Sequence, residues 1–351
     1  MTGKRMVKPQ AEPPWGKNGV YLVAEAGINH NGNPARALAM IDCAAGAGAD
    51  AVKFQVYHAE DLVQPGAAKA EYQKERTGAD ETQLEMLRQY EFPPDIWAIL
   101  AKKAADAGLD LICTPFDDRS LELLEGLPVK AVKVASGEIT NHPLLKRIAK
   151  TRKPVILSTG MSTLGEIDAA VSIFTEAGAA DLALLHCTSA YPASDAEVNL
   201  RAMRTLAEAF QKPVGYSDHT PGVAVAVAAV ALGAVIIEKH FTLDKSLPGP
   251  DHTMSLGPDE LRSFVEAIRR VEIALGSPVK QVTPGELELR TLARRSICAA
   301  VEIAAGTMIT DAVLTYKRPG YGIPPSFTTF VLGKTARRTI KAGECLTWSD
   351  F

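Results

Sequence analysis

The sequence predicts an α/β fold: a (β/α)8 TIM barrel followed by a small β-rich domain. Three observations carry this. Short runs rich in β-formers alternate with longer segments of Ala, Leu, Glu and Lys at helical spacing, as in a parallel sheet with crossover helices. There are eight such units, the number that closes this barrel. After Gly276 the alternation stops and short β-type runs separated by turns take over. An open doubly wound sheet is the alternative, but GINHNGN (Gly27–Asn33) is not the G-x-G-x-x-G turn that fold carries.

Along the chain, residues 1–20 are polar and Pro-rich and read as a flexible tail without the apolar segment of a signal peptide. Strands are expected at Tyr21–Ala24, Ala51–Gln55, Leu109–Thr114, Ala131–Ala135, Val155–Ser158, Leu182–His186, Pro213–Tyr216 and Val235–His240. Helices are expected over Pro34–Gly48, Pro94–Gly108, Thr163–Gly178, Asn199–Lys212 and Pro258–Gly276, several of them ending at Gly. The longest apolar run, Val223–Ile237, is too short to span a bilayer and stops at Glu238, so it reads as a buried helix passing into a buried strand. The barrel then occupies 21–277. Residues 278–293, with Pro278, Pro284 and Gly285, form a linker. Residues 294–351 hold the runs SICAAVEI, TMITDAVLTY, TFVLGKTA and CLTW. At about 55 residues a core alone is marginal, so this domain should lean on the barrel or on a second subunit.

Composition excludes several function classes. Lys+Arg 38 against Asp+Glu 41 leaves a net charge of −3, which offers no general attraction to nucleic acid or to an anionic membrane. The five cysteines are widely spaced and form no C-x-x-C pair, so a disulfide framework or zinc site is not expected and a reducing cytoplasm fits better.

Catalytic sites of this barrel sit at the carboxyl ends of the strands, and nearly every expected strand ends in a polar side chain. In order these are Glu25; Lys53 and Gln55; Thr114; Lys133, running into Ser136 and Glu138; Ser158; His186 and Thr188; Ser217 and His219; Glu238 and His240. Residues two apart share a strand face, so Lys53 points with Gln55, Ser217 with His219 and Glu238 with His240, while Lys239 points away. A lysine is rarely buried without a partner. Lys53 and Lys133 either pair with a buried carboxylate such as Glu25 or Glu138, or cradle a phosphate or carboxylate together with Ser136, Ser158 and Ser217. The two lysines with three serines favour the anion. His219 and His240 end neighbouring strands. Each alone reads as a hydrogen-bonded or general-base histidine; as a pair they suit a divalent Lewis-acid metal such as Mn2+ or Mg2+ with open positions. Asn29, His30 and Asn31 read as turn chemistry. Asp251, in PGPDH, either binds a polyol or shapes a loop.

The motifs AEAGINHNG, GADAVKFQ, KAEYQK, TPFD, KVASGEITN, LSTGMST, LLHCTSAYP, VGYSDHT, IEKHFTLDKSLPGPDH, ARRSI and KRPGYGIPP resemble those of the sialic acid synthase family, from about Tyr21 to the end. That family condenses phosphoenolpyruvate with an N-acylated amino sugar. The resemblance implies a TIM barrel with an antifreeze-like (SAF, β-clip) domain that swaps within a homodimer, and a cytoplasmic enzyme without nucleic-acid or membrane partners. It implies metal at His219 and His240, and phosphoenolpyruvate on Lys53, Lys133, Ser136, Ser158 and Ser217. Gln55, Thr114, Tyr191 and Asp251 would line the sugar pocket, with Arg318 reaching the N-acyl group across the dimer. Glu138 is the first candidate for general acid/base and Glu25 the second. KAEYQK and QLEML (Gln83–Leu87) fit the neuraminate and diacetyllegionaminate branches better than the pseudaminate branch; the expected sugar is N-acetylmannosamine, giving N-acetylneuraminate. A Schiff-base pyruvate aldolase acting through Lys53 or Lys133 is the rival of another class, and a carbohydrate-binding module on an inactive barrel is the non-catalytic one.

Overall fold

In the computed structural model, the structure describes residues 12–16, 19–77, 81–179 and 181–351, and the chain divides into two compact units, Met1–Gly276 and Ser277–Phe351. Most of the expected tail therefore lies outside the described residues. Trp15 does not: it is buried in one apolar cluster with Tyr21, Val23 and Ile236, so this part of the tail packs against the barrel instead of hanging loose.

The first unit is a closed barrel of eight parallel strands: β1 Tyr21–Gly27, β2 Ala51–Val56, β3 Asp110–Pro115, β4 Ala131–Val134, β5 Val155–Ser158, β6 Leu182–Cys187, β7 Val214–Asp218 and β8 Ile236–His240, with β8 pairing back onto β1. Each matches its expected run to within a few residues. The helices Pro34–Ala47, Pro94–Asp106, Leu164–Glu176, Ala202–Phe210 and Pro258–Leu275 lie where expected. Their ends follow local chemistry. Asn33 accepts from Arg36 N, Thr163 and Glu166 form a reciprocal capping box, and Gly48 caps in the left-handed region at φ 84°.

Strand alternation sorts the side chains into two cores. Ala51, Ile112, Ala131, Ile156, Ala183, Leu185 and Ile236 fill the barrel interior, while Val52, Phe54, Val132, Leu157, Leu184 and Ile237 pack outward under the helices. The interior set plugs the amino-terminal end, and the next inward positions along the same strands are the polar ones, so the fold delivers them together to the opposite mouth. After β2, the short helices Ala59–Leu62, Glu71–Thr77 and Gln83–Arg88 build a separate cap with its own apolar cluster around Tyr57, Leu84, Met86 and Leu87. The sequence reading did not foresee them, because four to seven residues are too few to show a helical period.

The second unit is less strand-rich than expected. β9 Ser296–Ala299 and β10 Leu314–Lys317 form a two-stranded antiparallel sheet, and further pairing comes from isolated bridges such as Ile303↔Ile340 and Met308↔Thr335. The run TFVLGKTA is not a strand: Thr328–Val331 is a helical turn, and the expected linker contains a helix at Leu287–Ala293. The unit has its own core around Ile297, Ile303, Ile309, Val331 and Ile340. Cys298 and Cys345, unpaired by sequence spacing, face each other with Sγ atoms 2.9 Å apart, both free thiols.

Candidate active site

A cavity of about 660 Å3 opens at the carboxyl end of the strands. Its wall carries every site residue expected within the barrel: Glu25, Lys53, Gln55, Thr114, Lys133, Ser136, Glu138, Ser158, Tyr191, Ser217, His219, His240 and Asp251. Arg318 lies exposed in the C-terminal unit.

Strand register sets this arrangement. Glu25 is level with Lys53 on one side and with His240 on the other, Gln55 is level with Thr114, and Ser217 with Glu238. Just past Glu25 the pairing of β1 with β2 slips, leaving Gly27 at φ 54°. A Cβ there would sit 3.2 Å from Glu25 Oε1 and 3.7 Å from His240 Cε1, so only glycine lets the backbone pass this close to both. Gly160 plays a similar part after β5. Its N–H donates to Ser136 Oγ at 3.0 Å, and a Cβ would come within 2.9 Å of that oxygen.

Four buried ionisable groups occupy the floor. Lys53 Nζ lies 2.9 Å from Glu25 Oε2 and 3.5 Å from Glu238 Oε2, and Lys133 Nζ lies 3.7 Å from Glu238 Oε1. Ser217 donates to Glu238 at 2.9 Å. Carboxylate pairing is thus met in part: Glu25 is a partner of Lys53, Glu138 partners neither lysine, and Glu238 serves both. Glu138 instead accepts from Asn141 Nδ2 at 2.7 Å.

The charges do not cancel. Burial pushes Glu25 up to about 7, with Lys53 opposing and Glu238 adding to the rise. Burial also works against ionised Glu238, yet Lys133, Lys53 and the Ser217 hydroxyl hold it down to about 2. Lys133 is lowered by burial, whereas Lys53, despite burial, is raised by Glu238 and Glu25. Near neutral pH two ammonium groups therefore face one firm carboxylate and one carboxyl poised to take or release a proton. The surplus positive charge suits an anionic substrate.

The other wall is imidazole. The His219 and His240 rings lie 5.5 Å apart, centroid to centroid, and Tyr191 packs 4.3 Å from His219. His219 Nδ1 donates to the Thr188 carbonyl at 2.8 Å, which leaves Nε2 with a free lone pair. His240 Nδ1 is buried without a hydrogen-bond partner. Two imidazoles, one orphaned and one fixed in tautomer by a backbone carbonyl, fit a divalent cation. The tighter group His58, Asp61 and Asp117 is a poorer candidate. Asp117 already accepts from His58 N, Ser120 N and Ser120 Oγ while capping the helix Asp118–Glu125.

Three features escaped the sequence reading. The end of β6 was placed one residue early: Cys187 faces the cavity, 3.8 Å from His219 Nδ1, while His186 turns outward to the Val198 carbonyl at 2.6 Å. The inward Ala183 and Leu185 carry that parity in the sequence. Arg76 donates to the carbonyls of Pro250 (2.6 Å) and Tyr191 (3.4 Å), tying together the loops that carry Asp251 and Tyr191; nothing local announces so distant a contact. Lys239 points away from the cavity as expected, but its burial against Asp218, at 2.8 Å, was not foreseen. Asn29 and His30, expected as turn residues, are buried in long-range contacts: Asn29 donates to the Phe241 carbonyl and Ser255 Oγ, and His30 stacks on Phe92 at 4.1 Å.

Residues 40–280 match the NeuB family, and residues 294–351 match the SAF domain. The chain belongs to the NeuB family. This NeuB-family chain is 44% identical over 335 residues to an N,N'-diacetyllegionaminic acid synthase of Legionella pneumophila subsp. pneumophila, covering 94% of each chain. It is equally, 44%, identical to the protein of that name from Campylobacter jejuni subsp. jejuni serotype O:2, over 93% of this chain and 98% of the relative. Among solved structures it resembles an N-acetylneuraminic acid (sialic acid) synthetase from Leptospira borgpetersenii serovar Hardjo-bovis in complex with citrate, with TM-score 0.68, 37% identity, and coverage of 78% of this chain and 90% of that one. The NeuB-family protein is therefore an enzyme of the nonulosonate synthase class with an SAF domain, as its motifs implied. No helix among its described residues is long and apolar enough to cross a membrane.

Proposed function

We propose that the enzyme condenses phosphoenolpyruvate with open-chain 2,4-diacetamido-2,4,6-trideoxymannose, giving N,N'-diacetyllegionaminate and phosphate. The observation that carries this is the convergence of Lys53, Lys133, Glu25, Glu238, His219 and His240 on one cavity. The sequence-based preference for N-acetylmannosamine gives way on this point. Its motifs do not separate the two branches, and both relatives at 44% identity are named for diacetyllegionaminic acid. The cap wall supports the change: Leu62, Val63, Leu87 and Phe116 line the cavity and suit a deoxy methyl and a second acetyl group better than hydroxyls.

Lys53 and Lys133 hold the phosphate and carboxylate of phosphoenolpyruvate, with Ser136, Ser158 and Ser217 donating to its oxygens. Gln55, Thr114, Tyr191 and Asp251 orient the sugar so that its aldehyde carbon meets the enol carbon. A divalent cation on His219 and His240, Mn2+ in this reading and Mg2+ or Co2+ otherwise, supplies Lewis-acid polarisation of the aldehyde oxygen. Carbon–carbon bond formation turns the aldehyde oxygen into an alkoxide, which takes up a proton to become the product hydroxyl, and leaves positive charge on the carbon bearing phosphate. Water adds there with loss of one proton, and the hemiketal loses its second as the carbonyl forms and phosphate departs with its bridging oxygen. Glu25, at about 7, is placed to accept the water's proton, and ionised Glu238 stabilises the cationic carbon. This reverses the expected order of Glu138 and Glu25. Glu138, part-buried and bonded to Asn141, is left the role of orienting water.

A homodimer in which Arg318 of one protomer completes the sugar pocket of the other belongs to the same proposal. A cytoplasmic setting is supported by the free cysteines. The test is sugar-dependent phosphate release from phosphoenolpyruvate, run with 2,4-diacetamido-2,4,6-trideoxymannose and with N-acetylmannosamine, each with Mn2+ and with EDTA. The first sugar with Mn2+ should be used best. Preference for N-acetylmannosamine would restore the neuraminate reading, and EDTA-resistant turnover with a borohydride-trapped lysine adduct would replace both with a Schiff-base aldolase.

A further inference from the structure

We infer that the buried Asp218–Lys239 pair positions His219 and His240 and thereby sets the affinity of the site for a divalent cation; this rests on the cation site proposed above. Asp218 and Lys239 are level with each other on the outer face of β7 and β8. Strand alternation turns Ser217, His219, Glu238 and His240 into the cavity and sends these two the other way. Both are buried, at 0% and 2% exposure, and neither lines the cavity.

Their bonds bracket one imidazole. Lys239 Nζ donates to Asp218 Oδ2 at 2.8 Å and also to the Thr220 carbonyl. Asp218 Oδ1 in turn accepts from Thr220 N at 2.9 Å and Thr220 Oγ1 at 2.7 Å. One ammonium thus grips the Asp218 carboxylate and the Thr220 backbone carbonyl, the residues on either side of His219, just where β7 has ended. The same lysine is the chain neighbour of His240, so the clip ties the two imidazole-bearing backbones to each other. For stability alone, an apolar pair of similar volume packs about as well as a buried ion pair, and that makes a geometric role the better account of why two charges sit here.

The test compares the full chain with Asp218→Asn/Lys239→Met, Lys239→Arg and His219→Ala. Lys239→Met alone leaves a buried unpaired carboxylate and is at risk of not folding, so the double variant is the informative one. Titration with Mn2+ alone, followed by electron paramagnetic resonance, gives the cation Kd, and thermal melting reports the fold. The double variant should melt close to the parent while its Mn2+ Kd rises about tenfold or more, the scale typical of lost outer partners of a metal ligand. Lys239→Arg should retain most of the affinity. A double variant that is folded and binds Mn2+ as tightly as the parent overturns the inference while leaving the cation site standing. A parent whose Mn2+ binding is unchanged by His219→Ala overturns the inference together with the site it rests on.

Discussion

At the scale of single residues, the account turns on two carboxyls driven apart by their surroundings. Glu25 has less cationic compensation for its burial and rises to about 7; Glu238, touched by both lysines and a hydroxyl, stays near 2. Glu25→Gln should lower kcat at least about a hundredfold, the usual weight of a general base. It should leave phosphoenolpyruvate binding within a few-fold, and the limb of the pH–rate profile near 7 should vanish. Stability gives a second reading. The folded pKa of Glu25 lies above its unfolded value, so its contribution is fully present below about 4.5 and lost as pH rises through about 7. Between those limits the parent should lose stability relative to Glu25→Gln, measured by urea denaturation at pH 5 and pH 8; an unchanged difference would contradict the assignment. Lys53→Met should raise the KM for phosphoenolpyruvate by about a hundredfold or more, because it removes a charge-assisted contact and leaves two buried carboxyls facing one ammonium.

At the scale of elements, the barrel makes the site by phase. Inward strand positions nearer the amino end are mostly apolar, with Asp110 bonded to the Tyr21 hydroxyl as an exception, and those nearer the carboxyl end are polar. Ile112→Ala, in the fully buried interior layer, should cost about 2–5 kcal/mol in urea denaturation while kcat of the folded fraction stays near the parent's. Gly160→Ala should do the opposite, weakening phosphoenolpyruvate binding more than stability, because its methyl would push on Ser136 and Ser189 at the mouth. All eight strands were readable from the chain, because a buried parallel strand is a short β-rich run bounded by polar and helical segments. The cavity residues were readable because parity carries from the core to the mouth. The β6 end was misplaced where polar His186 and Cys187 stand side by side and only the phase of Leu185 decides between them. The cap helices were not readable because each is too short to show a helical period, and the tie from Arg76 was not because it joins residues more than a hundred positions apart. In the C-terminal unit, single bridges and turns replace long strands, and a four-residue helix leaves no periodic signal.

At the scale of the whole molecule, the barrel supplies every expected site residue except Arg318. Arg318→Ala should therefore raise the KM for the sugar with little change in that for phosphoenolpyruvate, and light scattering should report a dimer; a monomer with full activity would remove Arg318 from the site. The central claim is that the mouth of the barrel joins phosphoenolpyruvate to an aldehyde sugar by breaking the bond between carbon and the bridging oxygen. The most direct test uses phosphoenolpyruvate labelled with 18O at that oxygen, turned over with 2,4-diacetamido-2,4,6-trideoxymannose and Mn2+. The account predicts that the label leaves in inorganic phosphate, at a rate that depends on the sugar. Label retained in the nine-carbon keto acid, or released without sugar, would contradict it.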